Sequence, residues 1–209
     1  MYIPKLFEET ELAAMQALML AHPLATLVTM GPDGLDANPI PLLFTPGESG
    51  HGVLRGHVAR ANPIWQRFDP AVGVLAVFSG EDAYISPSWY ASKREHGKVV
   101  PTWNYERVNA HGTLRTIDDA AWLCRLLHDL TAQQEAVFDQ PWSIEDAPAD
   151  YIEKLLGAIV GIEIEVTRLE GKWKVSQNQP AENRASVIAA LQAVPGGAAM
   201  AELVRERGK

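Results

Sequence analysis

Between Leu24 and Pro41 the chain reads LATLVTM, then GPDG, then LDANPIP. Two apolar runs joined by a tight-turn tetrapeptide predict a β-hairpin. Pro39 and Pro41 stand two apart in the second run. Proline has no N–H to give to a ladder, so one side of this strand must go unpaired. More short runs follow: HGVLRGHV, AVGVLAVFSG, EDAYIS and RVNAHGTLRTI, then IVGIEIEVTRLEG and KWKVSQNQP. They do not alternate regularly with helices, which argues against a doubly wound sheet. Many short, hairpin-linked strands predict an α+β chain, mainly antiparallel, built as a closed or partly closed barrel with peripheral helices.

The helical segments are marked by period and by caps. FEETELAAMQALMLAHP repeats its apolar residues at helical spacing after Thr10 and stops at Pro23. ANPIWQRF reads as a short helix with Asn62 as N-cap and Pro63 at its first position. DDAAWLCRLLHDLTAQQEA is a long helix capped by Asp118 or Asp119, and PADYIEKLLGA follows it. AENRASVIAALQAV and AAMAELVRERGK close the chain as helices on either side of PGG. This order divides the chain into a barrel domain over 1–180, with a helical insertion at about 118–157, and a helical extension over 181–209.

The chain has 209 residues, 47% of them apolar and 21% charged, enough for a core that needs no metal or disulfide. Its one cysteine, Cys124, lies beside the apolar face of a helix and reads as a core residue. No apolar run is long enough to span a membrane, and the charged N-terminus is unlike a signal peptide. The chain therefore reads as cytoplasmic, beginning at its own start. The net charge of −8 is unevenly placed. From Arg55 to Arg115 there are eight Lys and Arg against five Asp and Glu; from Thr116 to Glu165 there are two against eleven. The basic half suits an anionic ligand, and the acidic half repels nucleic acid and anionic membranes. The six histidines have no metal-ligand spacing, so no metal site is expected. GxSxG, Walker and GxGxxG motifs are absent, and no catalytic acid or base stands out.

Three stretches carry candidate binding residues. LRGHVARANP places Arg55 and His57 on one face of a strand and leads past Arg60 to a helix start at Asn62; arginine beside a helix N-terminus makes a phosphate site. A solvated arginine and an ordinary cap are the competing interpretation. YISPSWYASKREHGKVVPTWNY, Tyr84 to Tyr105, holds five of the eleven Trp and Tyr residues, with Trp103 among those able to wall a planar ligand, line a subunit interface or fill a core. GKWKVSQN points Lys172 and Lys174 to one side and Trp173 to the other, and ends in the polar Ser176, Gln177 and Asn178.

MYIPKLFEE, HPLATLVT, GHVARANP, AYISPSWY, VVPTWNY, HGTLR, IVGIEIEV and GKWKVSQNQP, in this order, resemble the PaiB-type FMN-binding negative transcriptional regulators over nearly the whole chain. The resemblance implies an FMN-binding split β-barrel. It also implies a homodimer with FMN in clefts between subunits, which gives Tyr84 to Tyr105 a part in the interface and the cleft. It implies FMN contacts from Arg55, Gly56, His57, Arg60 and Asn62, from the strand carrying Asn38 and Ile40, and from Trp103, Ser176, Gln177 and Asn178. This chain departs from the family in having Pro39 where His commonly precedes the Ile-Pro pair, which removes a donor where the flavin lies. DNA is the partner the family implies, although an acidic chain without a helix-turn-helix signature lends that little physical support. The alternative reading is an FMN-dependent oxidoreductase related to pyridoxamine-phosphate oxidases or flavin reductases.

Overall fold

The computed structural model of the chain describes residues 1–47 and 50–208. Lys209, expected at the end of the last helix, lies outside the described residues. In chain order the elements are β1 (Glu8–Glu9), α1 (Leu12–Ala21), β2 (Leu24–Gly31), β3 (Gly34–Pro41), β4 (Leu43–Thr45), β5 (Val53–Ala59), α2 (Ile64–Arg67), β6 (Val74–Ile85), α3 (Lys93–His96), β7 (Thr102–Ile117), α4 (Ala120–Glu135), α5 (Ala149–Leu156), β8 (Ile159–Lys174), α6 (Ala181–Gln192) and α7 (Ala198–Arg207). The fold is α+β with one antiparallel sheet, as expected. Two of its strands are longer than their sequence signals: AVGVLAVFSG and EDAYIS join as β6, and IVGIEIEVTRLEG runs on through KWK as β8, while β1 and β4 have no separate signal. The polar residues between those runs do not break a strand whose backbone is held by neighbours on either side.

The strand order is β3-β2-β6-β7-β8-β5-β4, with β1 paired to β8. β3 and β4 stand at opposite ends of this order, yet only Leu42 separates them in the chain. The sheet must therefore curl until its ends meet, which closes the barrel. Leu42 is fully buried at that seam, and its N–H donates to the Pro23 carbonyl at 2.8 Å. Gly56 on β5 lets the two ends approach: a Cβ there would stand 2.8 Å from the Pro41 carbonyl oxygen. Pro39 and Pro41 face Thr26 and Leu24 of β2, and among the described residues β3 has no ladder partner on its other side, as the missing N–H groups require.

The chain forms two compact units. One comprises residues 19–78 and 109–169 and contains the barrel. Its core is the inward set of alternating strand residues, Leu27, Ile40, Phe44, Leu54, Val58, Phe78, Ile162 and Ile164, together with Leu123 and Leu126 of α4. Asp119 caps α4 by accepting from the Trp122 N–H at 2.6 Å. The other unit comprises residues 1–18, 79–108 and 170–208. There Val187 and Leu191 of α6 and Met200 and Val204 of α7 pack on Ile85, Tyr90 and Val175. Tyr90, a candidate for ligand or interface, is only 4% exposed and belongs to this core. Among the described residues no helix is long and apolar enough to cross a membrane.

Candidate functional site

Alternation along β5 sorts its residues. Leu54, Gly56 and Val58 point into the barrel, and Arg55 and His57 lie on the opposite, half-exposed face, as the sequence pattern requires. Arg55 is held in place: its Nε donates to Glu163 Oε2 at 2.7 Å and its Nη1 to Thr45 Oγ1 at 3.2 Å. Arg115 donates to the other oxygen of Glu163, Oε1, at 2.7 Å. Burial pushes the Glu163 carboxyl up, but the hydrogen bonds from Arg55 and Arg115 outweigh it and hold the group below its ordinary range. Two guanidinium groups share the Glu163 carboxylate, and Glu165 nearby balances the second. A cavity of about 450 Å³ opens beside them, lined also by Thr113 and Glu165.

Burial lowers the His57 pKa below the ordinary 6.5 and so favours the neutral imidazole. Its Nδ1 is buried and has no hydrogen-bond partner among the described residues. The same is true of Asn38 Nδ2 on β3. Asn38 Oδ1 accepts from Asn62 Nδ2 at 3.0 Å, and Asn62 Oδ1 in turn accepts from the Ile64 N–H at 3.0 Å. Asn38 thus meets Asn62, and Ile40 meets Gly56 where β3 runs against β5, while His57 follows Gly56 on the opposite face of β5. Ile40 turns its side chain into the core and has only backbone to offer a ligand.

Arg60 stands elsewhere than its sequence context suggested. α2 has four residues, too few to align a helix dipole, and the Arg60 guanidinium, 5.8 Å over the Trp65 ring, is held by other groups. Nη1 and Nη2 make a bidentate pair with Asp118 at 3.0 and 2.6 Å, while Nε and Nη2 also donate to the Gly157 and Ile159 carbonyls. Asp118, read as a possible helix cap, is the carboxylate of this pair. A hydrogen bond and the charge of Asp118 raise the Arg60 pKa, and Arg60 lowers that of Asp118 in the same way. The pair is exposed to water, so another anion can compete for the arginine.

The remaining candidates belong to the other unit. Trp103 is 54% exposed and packs edge-to-face on Tyr84, with ring centroids 5.8 Å apart. Ser176 is buried at φ +66° and exchanges hydrogen bonds with the Asn104 amide at 3.0 and 3.2 Å. Gln177 folds back on its own strand end, accepting from the Val175 N–H at 2.7 Å and donating to the Trp173 carbonyl at 2.6 Å. These contacts shape the end of β8. Asn178 is exposed. Glu163 and Arg115 are the residues that sequence reading passed over. Alternation in IVGIEIEV shows that Glu163 leaves the core face, but not that it meets two arginines.

An antiparallel barrel whose sheet ends close through one residue is a split barrel. The solved structures with this fold include an FAD- and heme-binding protein from Mycobacterium smegmatis (16% identity, 80% of this chain and 73% of that one, TM-score 0.58). The flavocytochrome Anf3 from Azotobacter vinelandii is a second (14% identity, 80% and 69%, TM-score 0.56). At such identities the likeness is one of fold. The family is shown by sequence: residues 1–168 match the family described as "Putative FMN-binding domain", and the chain belongs to this PaiB-type FMN-binding family, whose cofactor is FMN. The protease synthase and sporulation protein PAI 2 of Bacillus subtilis is 33% identical over 100% of this chain and 99% of its own. An uncharacterised protein of Emericella nidulans is 32% identical over 100% and 98%.

Proposed function

We propose that the chain is a cytoplasmic FMN-binding regulator that works as a homodimer with flavin at the subunit interface. The observation that carries the flavin site is the pair of buried, unbonded polar atoms, Asn38 Nδ2 and His57 Nδ1, beside the crossing of β3 and β5. A folded protein rarely leaves such atoms without a partner unless a ligand or an ordered water supplies one. The residues fit FMN. Asn38, Asn62 and His57 offer donors and acceptors to ribityl hydroxyls and to the polar edge of the ring, and Ile40 offers its backbone. Arg60 serves the phosphate by leaving Asp118, and Arg55 adds a guanidinium in a fixed position. Bound FMN supplies reversible electron acceptance; the chain supplies orientation and charge.

The dimer reading is supported by exposed apolar residues on the β2–β3 hairpin: Leu24, Leu35, Pro39 and Pro41 all face solvent, Leu35 at 73%. Exposed apolar groups concentrated on one hairpin mark an interaction surface. In this reading residues 1–180 are the flavin domain, the insertion at about 118–157 flanks its barrel, and the segment from 181 onward is the helical extension.

Titration by flavin fluorescence quenching tests the site. FMN is expected to bind more tightly than riboflavin, which lacks the phosphate, and than FAD, in which the phosphate is capped. Equal affinity for riboflavin overturns the phosphate assignment. Sedimentation at micromolar concentration is expected to give twice the chain mass, and a monomer throughout that range refutes the shared cleft. Gel-shift with the chain's own upstream DNA tests regulation. The absence of a shift at low salt, where contacts to phosphates are strongest, moves the function to FMN-dependent redox chemistry.

A further inference from the structure

One residue fastens both ends of the helical insertion. Arg60 stands in the turn after β5, and its backbone N–H donates to the Ala158 carbonyl at 2.8 Å. Its guanidinium reaches Asp118, just ahead of α4, through Nη1 at 3.0 Å and Nη2 at 2.6 Å. It also reaches the other end of the insertion. Nε donates at 2.9 Å to the carbonyl of Gly157, the residue that ends α5, and Nη2 donates to the Ile159 carbonyl at 3.0 Å. The last carbonyls of a helix lack partners within it and carry its negative end, so a guanidinium suits that place. All of these residues belong to the unit of residues 19–78 and 109–169.

A guanidinium has five N–H donors, and these contacts engage four of them. A phosphate cannot take a two-pronged hold on Arg60 while Asp118 keeps its own, and the two anions side by side would repel. They must compete for the arginine. Asp118 loses little by letting go: its side chain is 59% exposed, so water solvates the carboxylate, and its place beside the positive end of α4 still favours the charge. The consequence falls on α5. Leu123 and Leu126 fix α4 in the barrel core, whereas no residue of α5 is fully buried, and Tyr151 and Leu155 are exposed. A helix with so little buried surface opens locally when a tie at its end is lost.

We propose that Asp118 holds the place of the FMN phosphate on Arg60, so that Arg60 unfastens the helical insertion when it takes the phosphate, and α5 registers whether flavin is bound. The inference rests on the reading that Arg60 serves the phosphate. Hydrogen exchange read by mass spectrometry on the full chain tests it. Segment 149–158 exchanges about two- to fivefold faster with FMN than without, the reverse of the slowing a ligand brings to residues it covers, and segment 123–130 of α4 does not change. Riboflavin, which has no phosphate, does not speed α5. Arg60→Ala without flavin already exchanges 149–158 at the faster rate. In fluorescence titration Asp118→Asn binds FMN about two- to fivefold more tightly than wild type, since the competitor for the arginine has lost its charge, and binds riboflavin as wild type does. Asp33→Asn, which removes an exposed carboxylate from Arg67 instead, leaves FMN affinity as it was. The proposal is overturned if FMN slows 149–158 or leaves it unchanged, or if Asp118→Asn binds FMN no more tightly than Asp33→Asn. Arg60→Ala separates the two possible failures. If it binds FMN like wild type, the phosphate reading falls and the fastening with it; if it binds FMN weakly while α5 in wild type ignores FMN, the fastening alone is wrong.

Discussion

His57→Leu separates a ligand-binding histidine from a structural one, because the two roles shift stability in opposite directions. The imidazole Nδ1 is buried with no partner among the described residues, and an unsatisfied polar group of this kind costs about 1–3 kcal/mol. The ring is only partly buried, so the low end of that range applies. Leucine has similar bulk and no polar atom. FMN-free His57→Leu is therefore expected to be about 1 kcal/mol more stable than wild type, a rise in Tm of about 2–4 °C for a chain of this size. FMN affinity should fall about two- to twelvefold, the equivalent of one neutral hydrogen bond of about 0.5–1.5 kcal/mol. The gain should also depend on pH. Burial lowers the folded pKa of His57 below its ordinary 6.5, so the unfolded chain binds more protons than the folded one as pH falls through that value. Wild type loses stability below about pH 6.5, and His57→Leu lacks this share of the loss. Thermal melts at pH 5.5 and 7.5, with and without FMN, measure all three effects. A variant that melts lower than wild type while binding FMN equally would refute the reasoning and make His57 a packing residue.

Arg60→Ala should weaken FMN binding about tenfold or more by fluorescence titration, while Arg67→Ala, on the short helix and paired with Asp33, binds normally. Glu106→Gln should stabilise the chain at neutral pH: burial raises the folded pKa, so the wild-type carboxylate increasingly opposes folding as pH rises from about 4.5, and denaturant melts at pH 4 and 7 should differ less in the variant. Arg207→Met leaves the Glu9 side chain, only 3% exposed, without its 2.5 Å partner and without the guanidinium that stacks on Trp173; a loss of about 3 kcal/mol in urea unfolding is expected, and a loss below about 1 kcal/mol means the carboxylate has reached water.

By itself the sequence determined what local geometry and period can express. The GPDG turn, the prolines that reserve an edge on β3, a helix cap at Asp118 or Asp119 and the opposed faces of Lys172 and Trp173 all follow from residues a few positions apart. The ordered motifs went further and identified the family and its cofactor. The tertiary structure decided what depends on partners far along the chain. Arg60 was read beside a helix start, but the curl of the barrel brings Asp118 to it across 58 positions of sequence. Arg55 and Arg115 became a fixed pair because β5 lies against β8 and both reach Glu163. Tyr90 looked like its neighbour aromatics until α6 and α7 covered it. β6 and β8 absorbed runs that read as separate strands, since a sheet neighbour can hold polar residues extended where local preference does not. The unbonded atoms of Asn38 and His57 could not be seen in the sequence for the same reason: a missing partner is a property of everything that surrounds the atom, and the surroundings come from the whole fold.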